Sequence, residues 1–299
     1  MEFGLAKTED LKPLKTLWKL CFGDTDQFID FYFKNRDWKS EVAVIRVADQ
    51  IVSMLTMISV KLVGENGESI EASMLYGVAT HPEHQKKGFA EKLMELTDQY
   101  LLSKNVAAVM LVPAGEALFH FYEKRGYETR FFVREALLSS EEINRLAERN
   151  SVLSCKIMPM EPSDYNQKRR DLLKGRSYVD YSDKDISFQK EESRLVDMDI
   201  FSIEIDGWAG CTAIEKAPDG VVIIKELLIA DSALISAIKG IAEYLGGEQY
   251  LVRTPEAFGA TLAGEVHKFG MLKINKEEDS EKLKEWKTGM DSYLGIAYD

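Results

Sequence analysis

The residues of this chain best placed to do chemistry are Gln85-Lys86-Lys87-Gly88-Phe89-Ala90, which supply small residues at two positions and cations at two more. Behind them Leu93, Met94, Leu96, Thr97, Tyr100 and Leu101 recur at the spacing of one apolar helix face. The first turn of such a helix carries backbone N–H groups without intrahelical partners, at the positive end of the helix dipole. A phosphate can settle there if the backbone lets it approach, which Gly88 and Ala90 permit. Lys86 and Lys87 add screened positive charge. The pattern is not a Walker loop, which needs Gly-Lys-Ser/Thr, nor a dinucleotide fingerprint, which needs three spaced glycines. Taken alone, the same six residues would equally suit an ordinary strand-to-helix turn with a solvated lysine pair.

The elements that must position this turn are legible around it. Residues 75–79 (Leu-Tyr-Gly-Val-Ala) form a compact apolar run of strand type. Pro82 closes the strand, because proline cannot donate to a ladder. Residues 106–112 read as another strand, and residues 117–127 (Ala-Leu-Phe-His-Phe-Tyr-Glu-Lys-Arg-Gly-Tyr) as a helix and its end.

The stretch Val78-Ala-Thr-His-Pro-Glu-His-Gln-Lys-Lys-Gly-Phe-Ala90 resembles the acetyl-CoA-binding motif of the GNAT acetyltransferase superfamily, Gln/Arg-x-x-Gly-x-Gly/Ala. The motif positions fall on Gln85, Gly88 and Ala90. Downstream, Phe121-Tyr122-Glu-Lys-Arg-Gly126-Tyr127 resembles the Phe-Tyr-x-x-x-Gly-Phe/Tyr helix end of the same family. Two motifs in this order and separation are far more specific than either alone. The resemblance implies acetyl-CoA as cofactor, held by Val78, Ala79, Thr80, Gln85, Lys86, Lys87, Gly88, Phe89 and Ala90. Backbone groups of Val78 and Ala79 would hydrogen-bond the pantetheine arm and support the oxyanion. It also implies an N-acetyltransferase acting on a small-molecule or peptide amine, with Tyr122 as the acid that reprotonates the CoA thiolate. A phenol of pKa near ~10 stays protonated at neutral pH, as a proton donor must. Leu118, Phe121, Tyr122 and Arg125 share one helical face, so Tyr122 also fits a packing role. No base stands out by position. Glu71, His120 and the terminal carboxylate of Asp299 are candidates, His120 reading more as helix surface.

Composition bounds the alternatives. The chain has 299 residues, 45% hydrophobic and 29% charged, enough for about two domains. A formal net charge of −12 argues against a nucleic-acid or anionic-membrane binder, either of which needs a basic face. No apolar run is long enough for a membrane span, and residues 1–7 lack the layout of a signal peptide. Cys21, Cys155 and Cys211 lie far apart without a Cys-x-x-Cys pair, so a reducing cytoplasm is the expected home. The four histidines have no metal-ligand spacing, so no metal is expected. The oligomeric state stays open, an oligomer included.

Taken in order, the expected first unit spans residues 1–138. A strand at 3–7 leads to a helix buried through Leu11, Leu14, Trp18 and Cys21 and stopped by Gly23. A second helix from Asp24 carries Phe28, Phe31 and Tyr32. By resemblance that helix pair walls the acceptor cleft; by spacing alone the three aromatics are plain core. Strands at 42–47, 51–62 and 69–79 follow, with Asn66-Gly67 at the last turn, and a strand at 128–137 completes the unit. Residues 139–153 read as a linker helix with a capping-box start. From 154 to 299 the order of elements repeats, and His267-Lys-Phe-Gly-Met271 echoes the helix end at 124–127. This copy lacks the chemistry. Ala230-Asp231 stands where the glycine turn should be, and a carboxylate there competes with phosphate. The expected fold class is α/β (an α+β mixed sheet) with two tandem GNAT-like domains, the second divergent.

Such an arrangement resembles the front two domains of the enhanced-intracellular-survival acetyltransferases, without room for their lipid-carrier-like third domain. Two other functions fit the sequence. One is a catalytically silent acyl-CoA-binding or regulatory module. The other is an aminoacyl transferase using charged tRNA, against which the acidic balance and the intact CoA turn both speak.

Overall fold

The computed structural model describes residues 1–275, 286 and 292–298. The first half runs β1 (Glu2–Leu5), α1 (Leu11–Phe22), α2 (Asp26–Asn35), α3 (Trp38–Glu41), β2 (Val42–Val47), β3 (Gln50–Val63) and β4 (Ser69–Thr80). It continues through α4 (Phe89–Ser103), β5 (Ala108–Leu111), α5 (Glu116–Glu123) and β6 (Glu128–Ser139). The second half begins α6 (Ser140–Glu148), β7 (Cys155–Pro159), α7 (Pro162–Leu173), β8 (Ser177–Asp180), α8 (Asp183–Arg194) and β9 (Ile200–Ile205). It ends β10 (Trp208–Lys216), β11 (Val222–Leu228), α9 (Leu234–Leu245), β12 (Gln249–Pro255), β13 (Glu265–Ile274) and β14 (Ser292–Tyr293).

Local chemistry sets the helix ends. Gly23 takes φ 75° and returns its N–H to the Lys19 carbonyl, which stops α1. Thr25 then caps α2 by accepting the Phe28 N–H. Ser139 with Glu142, and Ser182 with Asp185, form capping boxes for α6 and α8.

The mixed sheet has the order β1-β2-β3-β4-β5-β13-β6-β12-β11-β10-β9-β7. Read from either edge, five strands of one half are followed by one strand of the other. β13 lies antiparallel to β5, with Met271 opposite Leu111. β6 lies antiparallel to β12, with Leu138 opposite Tyr250. The strand expected to complete the first unit therefore sits beside the second half's strands, and its own place is filled by β13. The reason is physical: the open edge of β5 needs a partner, and any strand of suitable pattern can supply the ladder. A cut at 138–154 would leave each half with a strand of the other. Nor is the linker helix a mere connector, because Ile143 of α6 is buried in the core beneath α9.

Residues 267–271, expected to echo a helix end, are instead strand β13. Gly270 serves close approach there, since a Cβ would come within 2.8 Å of Leu294 and 3.1 Å of Phe131. β8 and α8 also add elements between β7 and β9 that the repeat does not foresee.

One core joins Trp18 and Tyr32 to Tyr165, Phe188, Trp286 and Tyr298, so it belongs to both halves. Buried charge joins them too. Arg36 pairs with Glu41 at 2.9 Å and Asp185 at 2.6 Å, and donates to the Tyr298 hydroxyl at 2.9 Å. Burial works against the Arg36 charge, but Tyr298, Glu41 and Asp185 together hold its pKa above the ordinary guanidinium value.

Candidate active site

β4 and β5 are parallel and pair over 72–74 and 108–110. Beyond Met74 and Met110 they part. The β3–β4 register shifts between Met54 and Thr56, and opposite that irregularity Gly77 takes φ 60°, a conformation glycine adopts without cost. A Cβ on Gly77 would meet the Trp18 ring at 3.3 Å. Between the splayed strands opens a cavity of about 600 Å³, lined by residues 75–78 and 111–114 together with Leu118 and Tyr122. Trp18, Phe22 and Asp24 line it from the end of α1, and Arg253, Lys268, Phe269 and Tyr298 come from the second half.

The glycine turn lies alongside. Lys86 (φ 60°) and Gly88 (φ 80°) are both left-handed, and Gly88 is the N-cap of α4. A Cβ at Gly88 would meet nothing within 4 Å, so the space in front of the helix is open. Gln85 Nε2 donates to the Thr80 carbonyl at 3.2 Å and ties the turn to β4. A second cavity of about 310 Å³ is lined by Thr80, Gln85, Lys86, Gly88, Phe89 and Ala90, with Phe121 and Arg125 opposite.

Two of the expected cofactor residues are placed otherwise. Lys87 does not line this cavity; its Nζ donates to the Glu83 carbonyl at 2.7 Å. Ala79 is buried in the ladder opposite Met54, and its carbonyl already accepts the Ser53 hydroxyl at 2.7 Å, while Val78 faces the larger cavity. Arg125 is a cation that sequence reasoning left as packing. Its guanidinium lies 3.5 Å over the Phe121 ring and donates to the Phe121 carbonyl at 2.5 Å and to Glu91 at 3.1 Å. Its Nε is buried without a hydrogen-bond partner among the described residues. An orphaned cationic donor, a glycine-opened helix N-terminus and empty space before it together fit a diphosphate. The signal in the sequence was a lone arginine one turn after Phe121, on the helix facing the glycine turn.

Tyr122 lines the larger cavity while its neighbour Phe121 lines the second; it is 7% exposed and packed edge-on to Phe121 and Tyr127. Burial pushes its pKa up to about 12, Arg125 pulling slightly the other way. The group is thus a protonated donor at neutral pH.

The expected bases fare differently. Glu71 lies at the far end of β4, its side chain 62% exposed and 3.5 Å from Lys61. His120 is 71% exposed on α5 and paired with Glu123 at 3.0 Å. Neither lines the cavity. Asp299 lies outside the described residues. The carboxylate on the cavity is Asp24, whose Oδ2 accepts the Trp18 indole N–H at 2.7 Å. As the first acid after Gly23 it read only as a helix starter. Phe28, Phe31 and Tyr32 do not line the cavity either. Tyr32 is fully buried, donates to Thr56 at 3.1 Å and backs Trp18 at 4.5 Å between ring centroids, so these aromatics support the wall that Trp18 and Phe22 form.

At the corresponding helix start in the second half, Asp231 accepts the Gly259 N–H at 2.8 Å. Among the described residues no cluster of His, Cys, Asp and Glu is arranged to hold a metal, and no helix is long and apolar enough to cross a membrane.

Residues 2–130 match the family described as the Acetyltransferase (GNAT) domain. Over those residues the chain is similar to a GNAT acetyltransferase domain. Domains of this family bind acetyl-CoA or a related acyl-CoA and act on amines. Most of the chain shares its fold with a conserved protein of unknown function from Enterococcus faecalis V583 (16% identity, TM-score 0.70, 91% of this chain and 72% of that one). Its fold is similar also to that of a GCN5-related N-acetyltransferase from Anabaena variabilis (17%, 0.69, 92% and 73%). Eis1 from Mycobacterium abscessus superposes at TM-score 0.69 with 8% identity, over 94% of this chain and 75% of its own. At these identities the likeness speaks for the fold alone. No curated protein matches the sequence.

Proposed function

We propose that the chain is an N-acetyltransferase that moves an acetyl group from acetyl-CoA to the amine of a small molecule or peptide. The observation that carries this reading is a glycine-opened helix start with Arg125 opposite it, at the end of the same strand β4 that parts from β5 to open the cavity lined by Tyr122. Gln85, Lys86, Gly88, Phe89, Ala90 and Arg125 would hold the diphosphate, and Val78 and Thr80 would line the path of the pantetheine arm. The cofactor supplies the activated acetyl thioester. Tyr122 holds a proton for the departing sulfur, and Asp24 offers a carboxylate to the incoming ammonium. Residues 1–138 would then carry the reaction, with residues 154–299 supplying the far wall of the cleft across the 139–153 helix. A silent acyl-CoA-binding module is the second reading; a buried phenol on the cleft is the feature it leaves without a use. The cytoplasm is the proposed compartment, on the three unpaired cysteines.

Gly88→Glu tests the cofactor site. It forces a left-handed residue with a side chain and puts an anion before the helix N-terminus. Like charges ~4 Å apart at an intermediate dielectric cost about 4 kcal/mol, so CoA affinity should fall on the order of 10²–10³-fold. Calorimetry on a folded mutant with unchanged affinity would refute the site. The same titration on the wild type should saturate at one equivalent per chain, because Ala230-Asp231 before the second helix offers neither a glycine turn nor a cation. Two equivalents would sink that part of the reading.

A further inference from the structure

The cleft beside Tyr122 also describes its acceptor. We infer that the acceptor is a lipophilic primary monoamine with an aromatic or comparably apolar body, and not a polycation. This deepens the acetyltransferase reading and rests on it.

Phe22, Trp18, Tyr76 and Tyr298 form a continuous aromatic surface, with ring centroids 5.4 Å apart for Trp18–Phe22, 5.6 Å for Trp18–Tyr76 and 5.5 Å for Tyr76–Tyr298. Phe269 lines the cavity from the second half. Such faces take apolar or aromatic groups, and an ammonium only where it lies over a ring. Asp24 is the one carboxylate among the described lining residues. Its Oδ2 is engaged by Trp18, and among the described residues Oδ1 has no partner. That arrangement serves one ammonium.

The remaining charges on the cavity have the wrong sign for a second. Arg253 and Lys268 are cations, paired with Glu135 at 2.7 Å and Glu116 at 3.6 Å, and Arg253 lies over the Phe269 ring at 5.2 Å. The two neutralised pairs leave no negative field to hold further ammonium groups. A polyamine or aminoglycoside would set its other charges against Arg253, Lys268 or the aromatic wall. A monoamine with a flat apolar body fills the cleft and leaves no charge unmatched.

The test compares tryptamine, tryptophan, spermidine and kanamycin as acceptors in a thiol-release assay with acetyl-CoA, together with calorimetric binding of tryptamine to the CoA complex. Tryptamine should show a kcat/KM at least tenfold above each of the other three. Asp24→Asn should raise its KM about tenfold to a hundredfold. Phe269→Ala should raise it about threefold to tenfold while CoA affinity holds. Spermidine or kanamycin as the better substrate overturns the inference, as does tryptophan, which would mark a zwitterion site. A tryptamine-free calorimetric trace overturns it whatever turns over. Tryptamine binding without acetylation of any amine sinks the acetyltransferase reading instead and leaves the amine site standing.

Discussion

Tyr122→Phe is expected to lower turnover by about 10²–10⁴-fold, the usual contribution of a positioned general acid. Fold and CoA affinity should survive. The substitution keeps the ring that packs on Phe121 and Tyr127 and removes only the hydroxyl on the cavity. Its size follows from what the departing sulfur otherwise lacks. Among the described residues lining the cavity, Asp24 is a carboxylate that would compete for protons rather than supply one to a thiolate, and Arg253 and Lys268 are engaged with Glu135 and Glu116. The raised pKa fixes the pH behaviour. A phenol at about 12 keeps its proton across the neutral range, so rate should not fall through Tyr122 ionisation until strongly alkaline pH. An alkaline limb near pH 8 that disappears in Tyr122→Phe would contradict the burial. A mutant that works at the wild-type rate, with chemistry rate-limiting, makes Tyr122 a packing residue.

What the sequence made legible, and what it did not, follows from the range of each signal. The turn at 85–90 was readable because its demands are local: a left-handed residue before a helix, which Gly88 alone meets easily. The hairpin at 64–67 and the caps at Ser139 and Gly23 were readable for the same reason. The exchange of β6 and β13 was not, because a strand's residue pattern records which face is buried and not which neighbour covers its edge. α8 went unseen because Asp183–Arg194 is dominated by charged and polar residues, yet it buries Ile186 and Phe188 against the first half's aromatics. In the site, Lys87 and Lys86 are equivalent as sequence; only the backbone turn sends one to the cavity and the other to Glu83. Asp24 and Arg125 were missed for the converse reason, since the cavity each lines forms only when elements distant in sequence come together.

A second buried ion pair, besides that of Arg36 with Asp185, supports the second half's contribution to the site, and removing one member should cost stability heavily. Arg169 and Glu226 lie 3.0 Å apart with both side chains fully buried. Glu226 also accepts the Tyr165 hydroxyl at 2.8 Å, and Arg169 donates to the carbonyls of Val179 at 2.7 Å and Leu294 at 3.3 Å. Burial alone would drive the Arg169 pKa down, yet Glu226 and the surrounding tyrosines hold it above the ordinary guanidinium value. Arg169→Met leaves Glu226 charged and unpaired in the core, at a cost of about 3–5 kcal/mol. Glu226→Leu leaves the guanidinium unpaired and should cost a similar amount. In the double variant neither charge remains, so it should lose less than the sum of the two and be no worse than either, a coupling that denaturant midpoints at fixed m-value would read. Single variants within ~1 kcal/mol of the wild type would show the pair to be incidental. The consequence reaches the cleft because of Leu294. Gly295 beside it is left-handed, and a side chain there would run into Glu226 and Arg169, so the pair and the glycine together seat the segment at 292–298. Three residues further on, Tyr298 lines the acceptor cavity. Loss of the pair should therefore loosen the acceptor wall before it touches the Gly88 turn, which lies on the other side of the β4–β5 splay. In a variant still folded, acceptor KM should rise while CoA affinity holds; the opposite pattern would uncouple the second half from the acceptor side.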